Sequence, residues 1–183
     1  MKFRIIRGKR LLQQLISEAS YSTLDANTRS KMPITDKREN VVHKQRITNM
    51  SVTAYVPSNT ILIKSLVQGE TNRYTTHVQF EGVIFEDSGD TADVVEITGS
   101  DMQQYFVHPI ELSKNNVKVL CDCLDFRWRF AVANSKANSL YGNIPPPYVK
   151  KTNRPPVNPQ NVPGVCKHLI KTIETLQDSG LLF

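Results

Sequence analysis

Val117-Lys118-Val119-Leu120-Cys121-Asp122-Cys123 joins a β-prone run to two thiols spaced two residues apart. On an extended chain residues i and i+2 face the same way, so Cys121 and Cys123 are placed to grip one ion. Further along, Val162-Pro163-Gly164-Val165-Cys166-Lys167-His168-Leu169-Ile170 sets a Pro-Gly turn before an apolar run that continues as Ile173 and Leu176. This pattern predicts a turn feeding a helix. Residues i and i+2 diverge by about 200° on a regular helix, so Cys166 and His168 are expected to straddle the turn and the first helical residues. A thiol there is stabilised as the thiolate by the helix N-terminus.

The constellation uses all three cysteines of the chain. Three thiols and one imidazole in a Cys-x-Cys…Cys-x-His pattern read most simply as a structural Zn²⁺ site made by Cys121, Cys123, Cys166 and His168. Four protein ligands leave no open position, whereas a catalytic zinc keeps one for water. A disulfide fits poorly, because the count is odd and a Cys-x-Cys bridge closes a strained ring. Three unrelated buried cysteines are the remaining alternative, since free cysteine is often a small core residue.

Cys121-Asp122-Cys123 with Cys166-Lys167-His168-Leu169 resembles the SWIM-type zinc finger, whose pattern is Cys-x-Cys, a variable spacer, then Cys-x-His. The spacer between Cys123 and Cys166 is long for that family. The wider stretch from Val117 through Asn158-Pro159 to Leu169 is similar to small virion proteins of tailed bacteriophages. The likeness covers roughly the last third of the chain. It implies a zinc-stabilised virion subunit of a neck or connector, tail or baseplate assembly, made in the host cytoplasm and working beside other phage virion proteins. SWIM-type domains are associated with binding DNA and protein, so a zinc-dependent DNA-binding accessory protein is the alternative the resemblance also implies.

The net charge of +6 is unevenly spread over the 183 residues. Residues 1–50 hold 11 Lys/Arg against 4 Asp/Glu, residues 51–110 hold 2 against 8, and residues 111–183 hold 10 against 5. A basic, acidic, basic order suits head-to-tail contact between identical subunits, and hence a homo-oligomer or ring. It suits nucleic acid at the two basic ends as well. Solvated, solubilising faces are the plain alternative. No apolar run is long enough to span a bilayer, and Met1 to Arg7 lacks the apolar core of a signal peptide, so no membrane partner is expected.

The expected class is α+β: a small antiparallel β-rich body, a C-terminal zinc element, short helices and an extended N-terminal arm. Three segments are anticipated: 1–50 as N-terminal helix and basic arm, 51–120 as the β-rich domain, and 121–183 as the zinc-binding region with a proline-rich loop. Lys9 to Ser20 places Leu11, Leu12, Leu15 and Ile16 on one helical stripe. Ser22 to Arg46 is poor in apolar residues and interrupted by Pro33, and reads as an arm with little core of its own. Strands are expected over Ser51–Val56, Thr60–Val67, Arg73–Phe85, Ala92–Ile97, Tyr105–Leu112 and Asn116–Leu120. In the third of these, Tyr74, Thr76, Val78 and Phe80 alternate with Thr75, His77 and Gln79, the signature of a half-solvated antiparallel sheet.

Asp125 to Ser139 fits either period, and its alanine-bearing end favours helix. Its aromatics Phe126, Trp128 and Phe130, interleaved with Arg127 and Arg129, are expected as core cover for the metal site, with a base-stacking platform as the alternative. Tyr141 to Gly164 holds seven of the ten prolines and reads as an extended contact loop, with a mere spacer loop as the alternative. Enzymatic chemistry finds little support: His43, His77 and His108 are scattered, and no phosphate loop or nucleophile elbow appears. Asp87, Asp90 and Asp93 lack the glycine and distal glutamate of a calcium loop and read as a polar turn.

Overall fold

The computed structural model describes residues 19–31, 42–90, 92–143, 146, 153 and 158–183. The expected Leu11–Ile16 stripe, most of the basic arm, and Pro145, Pro147, Lys150, Lys151, Arg154, Pro155 and Pro156 lie outside the described residues.

Antiparallel pairing of β1 (Arg46–Tyr55), β2 (Thr60–Gln68), β3 (Arg73–Glu81) and β7 (Val117–Cys121) builds a four-stranded sheet in the order β1-β2-β3-β7. Register decides which side chains share a face, because a strand has period two. Ile61 pairs with Phe80, Ile63 with Val78 and Ser65 with Thr76; across the next seam Phe80 pairs with Val117, Val78 with Val119 and Thr76 with Cys121. All of these are buried on one face. The alternate residues Lys64, His77, Gln79, Lys118 and Leu120 lie on the other, more open face, as the alternation in β3 predicts.

A second sheet of three short antiparallel strands, in the order β4 (Phe85–Glu86), β6 (Gln104–Val107), β5 (Val95–Thr98), sits beside the first in sequence and contributes Val107 and Ile97 to the core. Leu181 to Phe183 lies along Ile110 to Leu112 as a short parallel pairing. The mixed α+β class with antiparallel sheets and short helices is therefore present.

Among the described residues the α-helices are α1 (Tyr21–Lys31), α2 (Leu124–Arg129), α3 (Ala131–Lys136) and α4 (Lys167–Asp178). Helix α4 carries Leu169, Ile170, Ile173 and Leu176 at i, i+1, i+4 and i+7, all buried, and packs on the inner face of the large sheet.

Two expectations need correcting. Ser22 to Arg46 is not wholly an arm without core, because α1 buries Tyr21, Leu24 and Thr28 in its described part. Its weak apolar pattern hid this: the helix is fixed by one fully buried leucine and by Thr28, whose Oγ1 accepts from Val165 N–H at 2.9 Å and donates to Leu24 C=O. Likewise the helical stretch after Asp125 is broken into α2 and α3 at Phe130, where φ is −114°. Phe126 and Phe130 are core residues as expected, but Trp128 is 51% exposed.

Candidate metal centre

Each half of the centre is positioned by a different local device. Cys121 closes β7 on the buried face, directly opposite Thr76. The ladder is carried one residue further by Asp122, whose N–H donates to Thr75 C=O and whose carboxylate accepts from Thr75 N–H at 3.0 Å. That clamp turns Asp122 outward and leaves Cys123 to cap α2, accepting from Phe126 N–H at 3.3 Å through Sγ.

The other half arrives on a strap fastened at three points. Asn158 grips Arg129 C=O and both the N–H and C=O of Val162. Asn134 then takes Gly164 from both sides, donating to its C=O at 2.9 Å and accepting from its N–H at 2.8 Å. Thr28 holds Val165. Gly164 is required here sterically, since a Cβ would lie 2.5 Å from Thr28 Oγ1 and 2.8 Å from Phe130 Cε1. The strap delivers Cys166 to the N-cap of α4, with extended φ and ψ, and His168 to its first turn, as the sequence pattern predicts.

The structure brings Cys121, Cys123, Cys166 and His168 together, all four buried, with one donor atom from each within 4.8 Å of every other. Around a tetrahedral Zn²⁺, with Zn–S about 2.3 Å and Zn–N about 2.0 Å, donors lie about 3.5–3.8 Å apart. Cys121 Sγ and His168 Nδ1 are separated by 3.7 Å, inside that range. The donor set and its spacing suit a metal ion such as zinc. Nε2 of the buried His168 has no hydrogen-bond partner among the described residues; coordination through Nδ1 would leave the ring proton on this nitrogen, a cost the metal bond would have to outweigh.

Electrostatics favour the same conclusion. Cys123 is held well below the ordinary thiol range, chiefly by the Cys121 and Cys166 S–H groups donating to it, with burial opposing. Cys121 is pushed up because it is the donor to Cys123 and Cys166, and Cys166 is pushed up by burial. A cation bound at the centre would favour the thiolate form of all three cysteines and release their protons.

Residues outside the four complete the site. Tyr74 stacks on His168, with ring centroids 4.2 Å apart, and Thr76 Oγ1 meets Thr172 Oγ1 at 2.9 Å one turn further along α4. Thr172 also donates to His168 C=O at 3.0 Å. The spacing of cysteines gave no sign of Tyr74, Thr76 or Thr172. Asp122 was in view inside Cys-Asp-Cys, but its clamp on Thr75 depends on strand pairing. The remaining histidines take other roles: His108 Nε2 lies 2.9 Å from Glu86 Oε1, His77 stacks on Tyr141, and His43 is exposed.

No protein-family model, curated protein or solved structure matches this chain.

Proposed function

We propose that the tetrad is a structural Zn²⁺ centre and that the chain is a non-catalytic subunit of a tailed-bacteriophage virion, in a neck or connector, tail or baseplate. The observation that carries this reading is the closure of the site: four buried protein donors converge from two distant stretches of chain. Bound there, the metal supplies a cross-link between β7 and α4 and offers substrate no vacant position. A protein stabilised in this way fits an assembly role, with copies of itself and other virion proteins as partners. The resemblance of Val117–Leu169 to small virion proteins and the basic, acidic, basic order of charge support that setting. Among the described residues no helix is long and apolar enough to cross a membrane.

Mass spectrometry of purified virions, run with metal analysis of the isolated chain, tests both halves of the proposal. Stoichiometric copies in the particle and about one Zn²⁺ per chain are expected. Absence from particles removes the virion setting, and a folded metal-free chain removes the zinc centre.

A second reading, a zinc-dependent DNA-binding accessory protein, is favoured by one feature. The Arg127 guanidinium lies 5.0 Å from the ring centroid of exposed Trp128, a surface pairing of the kind that stacks on bases. Arg129 does not extend this patch, because its side chain is 15% exposed and its Nε lies 3.2 Å from Asp125 Oδ1. Salt-sensitive DNA affinity lost in Trp128→Ala would establish the second reading in place of the first.

A further inference from the structure

A groove of about 610 Å³ runs between the turn after β3, the segment before Leu112 and the C-terminal pairing. Its apolar walls are Ile84, Ile110, Leu182 and Phe183, and its rim carries Asp93 and Glu111. Ile84 and Phe183 are 60% and 63% exposed, so two large apolar side chains are presented together at its mouth. Single exposed hydrophobics are ordinary; a shared groove of them marks a contact site.

The charges around it have one sign in excess. His108, which also lines the groove, is already paired with Glu86 at 2.9 Å. Glu111 holds exposed Lys114 at 2.6 Å, a surface pair that exchanges readily. Of the residues lining the groove, Asp93 and Glu111 are acidic and none is Lys or Arg. The matching ligand is a cationic amphipathic helix.

Residues 1–18 have that character. The apolar stretch from Lys9 to Glu18 sets Leu11, Leu12, Leu15 and Ile16 at helical spacing with Lys9 and Arg10 against the single acid Glu18, and Lys2, Arg4 and Arg7 precede it. We propose that the groove receives the Lys9–Glu18 stretch of a second copy of this chain. The direction of the backbone at Ala19 favours a second copy over the same one. Ser20 pairs antiparallel with Asn116, Ala19 C=O accepts from Val117 N–H, and Ser22 N–H donates to Leu112 C=O. Followed backward, the chain at Ala19 heads toward Lys118, away from the groove beside Glu111 and Asn115. Donor arm and acceptor groove are then different surfaces, a heterologous contact that closes into a ring or grows into a filament. The inference rests on the assembly reading above and names the contact that reading needs.

The test uses the full chain with p-benzoyl-phenylalanine in place of Leu12, mixed from isotopically light and heavy preparations and irradiated. Mixed-isotope cross-links landing on residues 82–84 or 180–183 are expected. Links confined to single copies, links landing elsewhere, or a chain that is monomeric at every concentration overturn the inference. Ile84→Asp and Phe183→Asp act at exposed positions, so folding and metal content should be unchanged while sedimentation reports self-association weakened ten-fold or more. Undiminished association in both variants also overturns it. The assembly reading fails separately, by absence of the chain from purified particles, so a virion protein with cross-links elsewhere defeats only the groove.

Discussion

The ring of Tyr74 lies over the imidazole of His168, with centroids 4.2 Å apart and planes 24° from parallel, and so ties the start of β3 to the first turn of α4. The same two elements are joined again by Thr76 and Thr172. Stacking orients the ring that carries the ligand nitrogen without supplying a donor itself. Tyr74→Ala is therefore expected to cost about 1–2 kcal/mol and to hasten zinc loss to a chelator, with about one Zn²⁺ per chain still bound at the start. Tyr74→Phe keeps the ring and should behave as wild type. Identical release rates in Tyr74→Ala and wild type would show that the stack is incidental.

Metal binding itself should be worth far more. Cys166→Ser or His168→Ala is expected to abolish stoichiometric zinc and to cost several kcal/mol, roughly 10 °C in Tm. Chelator treatment of wild type should reproduce the loss. A purified wild-type chain that is well folded without any metal, and whose melting is unchanged by Cys121→Ser, would sink the zinc assignment.

Gly164→Ala probes the strap. The added Cβ meets Thr28 Oγ1 and Phe130 Cε1 at 2.5 and 2.8 Å, closer than such atoms pack, so the strap or Phe130 must move. Overpacking of this kind costs about 1–3 kcal/mol. Asn134→Ala should be at least as damaging, since it strips Gly164 of both its bonds. Urea unfolding of the two variants is the check, and wild-type midpoints in both would mean the strap adapts freely.

His77 gives a pH signature. Burial lowers its pKa below the ordinary histidine value, nearby Lys64 adds to this, and Asp122 opposes. The folded state thus favours the neutral ring, and below about pH 6.5 the unfolded chain binds more protons than the folded one. Stability should fall as pH drops from about 6.5 toward the lower folded pKa, and should not change through this group above 6.5. Any metal release from the tetrad in acid would add to this, so the informative quantity is the difference between wild type and His77→Gln. His77→Gln should lose less stability over that window in urea unfolding; parallel curves would exclude the effect.

The candidate metal centre was legible because covalent spacing carries it: the chain stays extended from Cys121 at the end of β7 to Cys123 at the N-cap of α2, and Cys166 and His168 meet the same point where a turn becomes helix. The inner face of β3 was legible for the same reason, from the alternation of Thr76, Val78 and Phe80. Helix α1 was not, because its apolar anchors are only Tyr21 and Leu24 and its other attachments are hydrogen bonds to Leu112 and Val165, both remote in sequence. Trp128 was misjudged as cover because helical period alone does not say which of two faces meets the sheet. The fully buried Phe126 and Phe130 fill that place, and Trp128 turns to Arg127.

Cys123 and His168 are roughly 45 residues apart, and ribosomes add about 5–20 residues per second. The first two thiols therefore emerge several seconds before the second pair of donors exists. During that interval a Cys-x-Cys thiol pair stands without its partners, open to oxidation and to stray metals, while the inner face of β3 and β7 awaits α4. Zinc supply and redox state at the moment of synthesis should govern how much folded protein a cell makes, even though the finished centre is sealed from both.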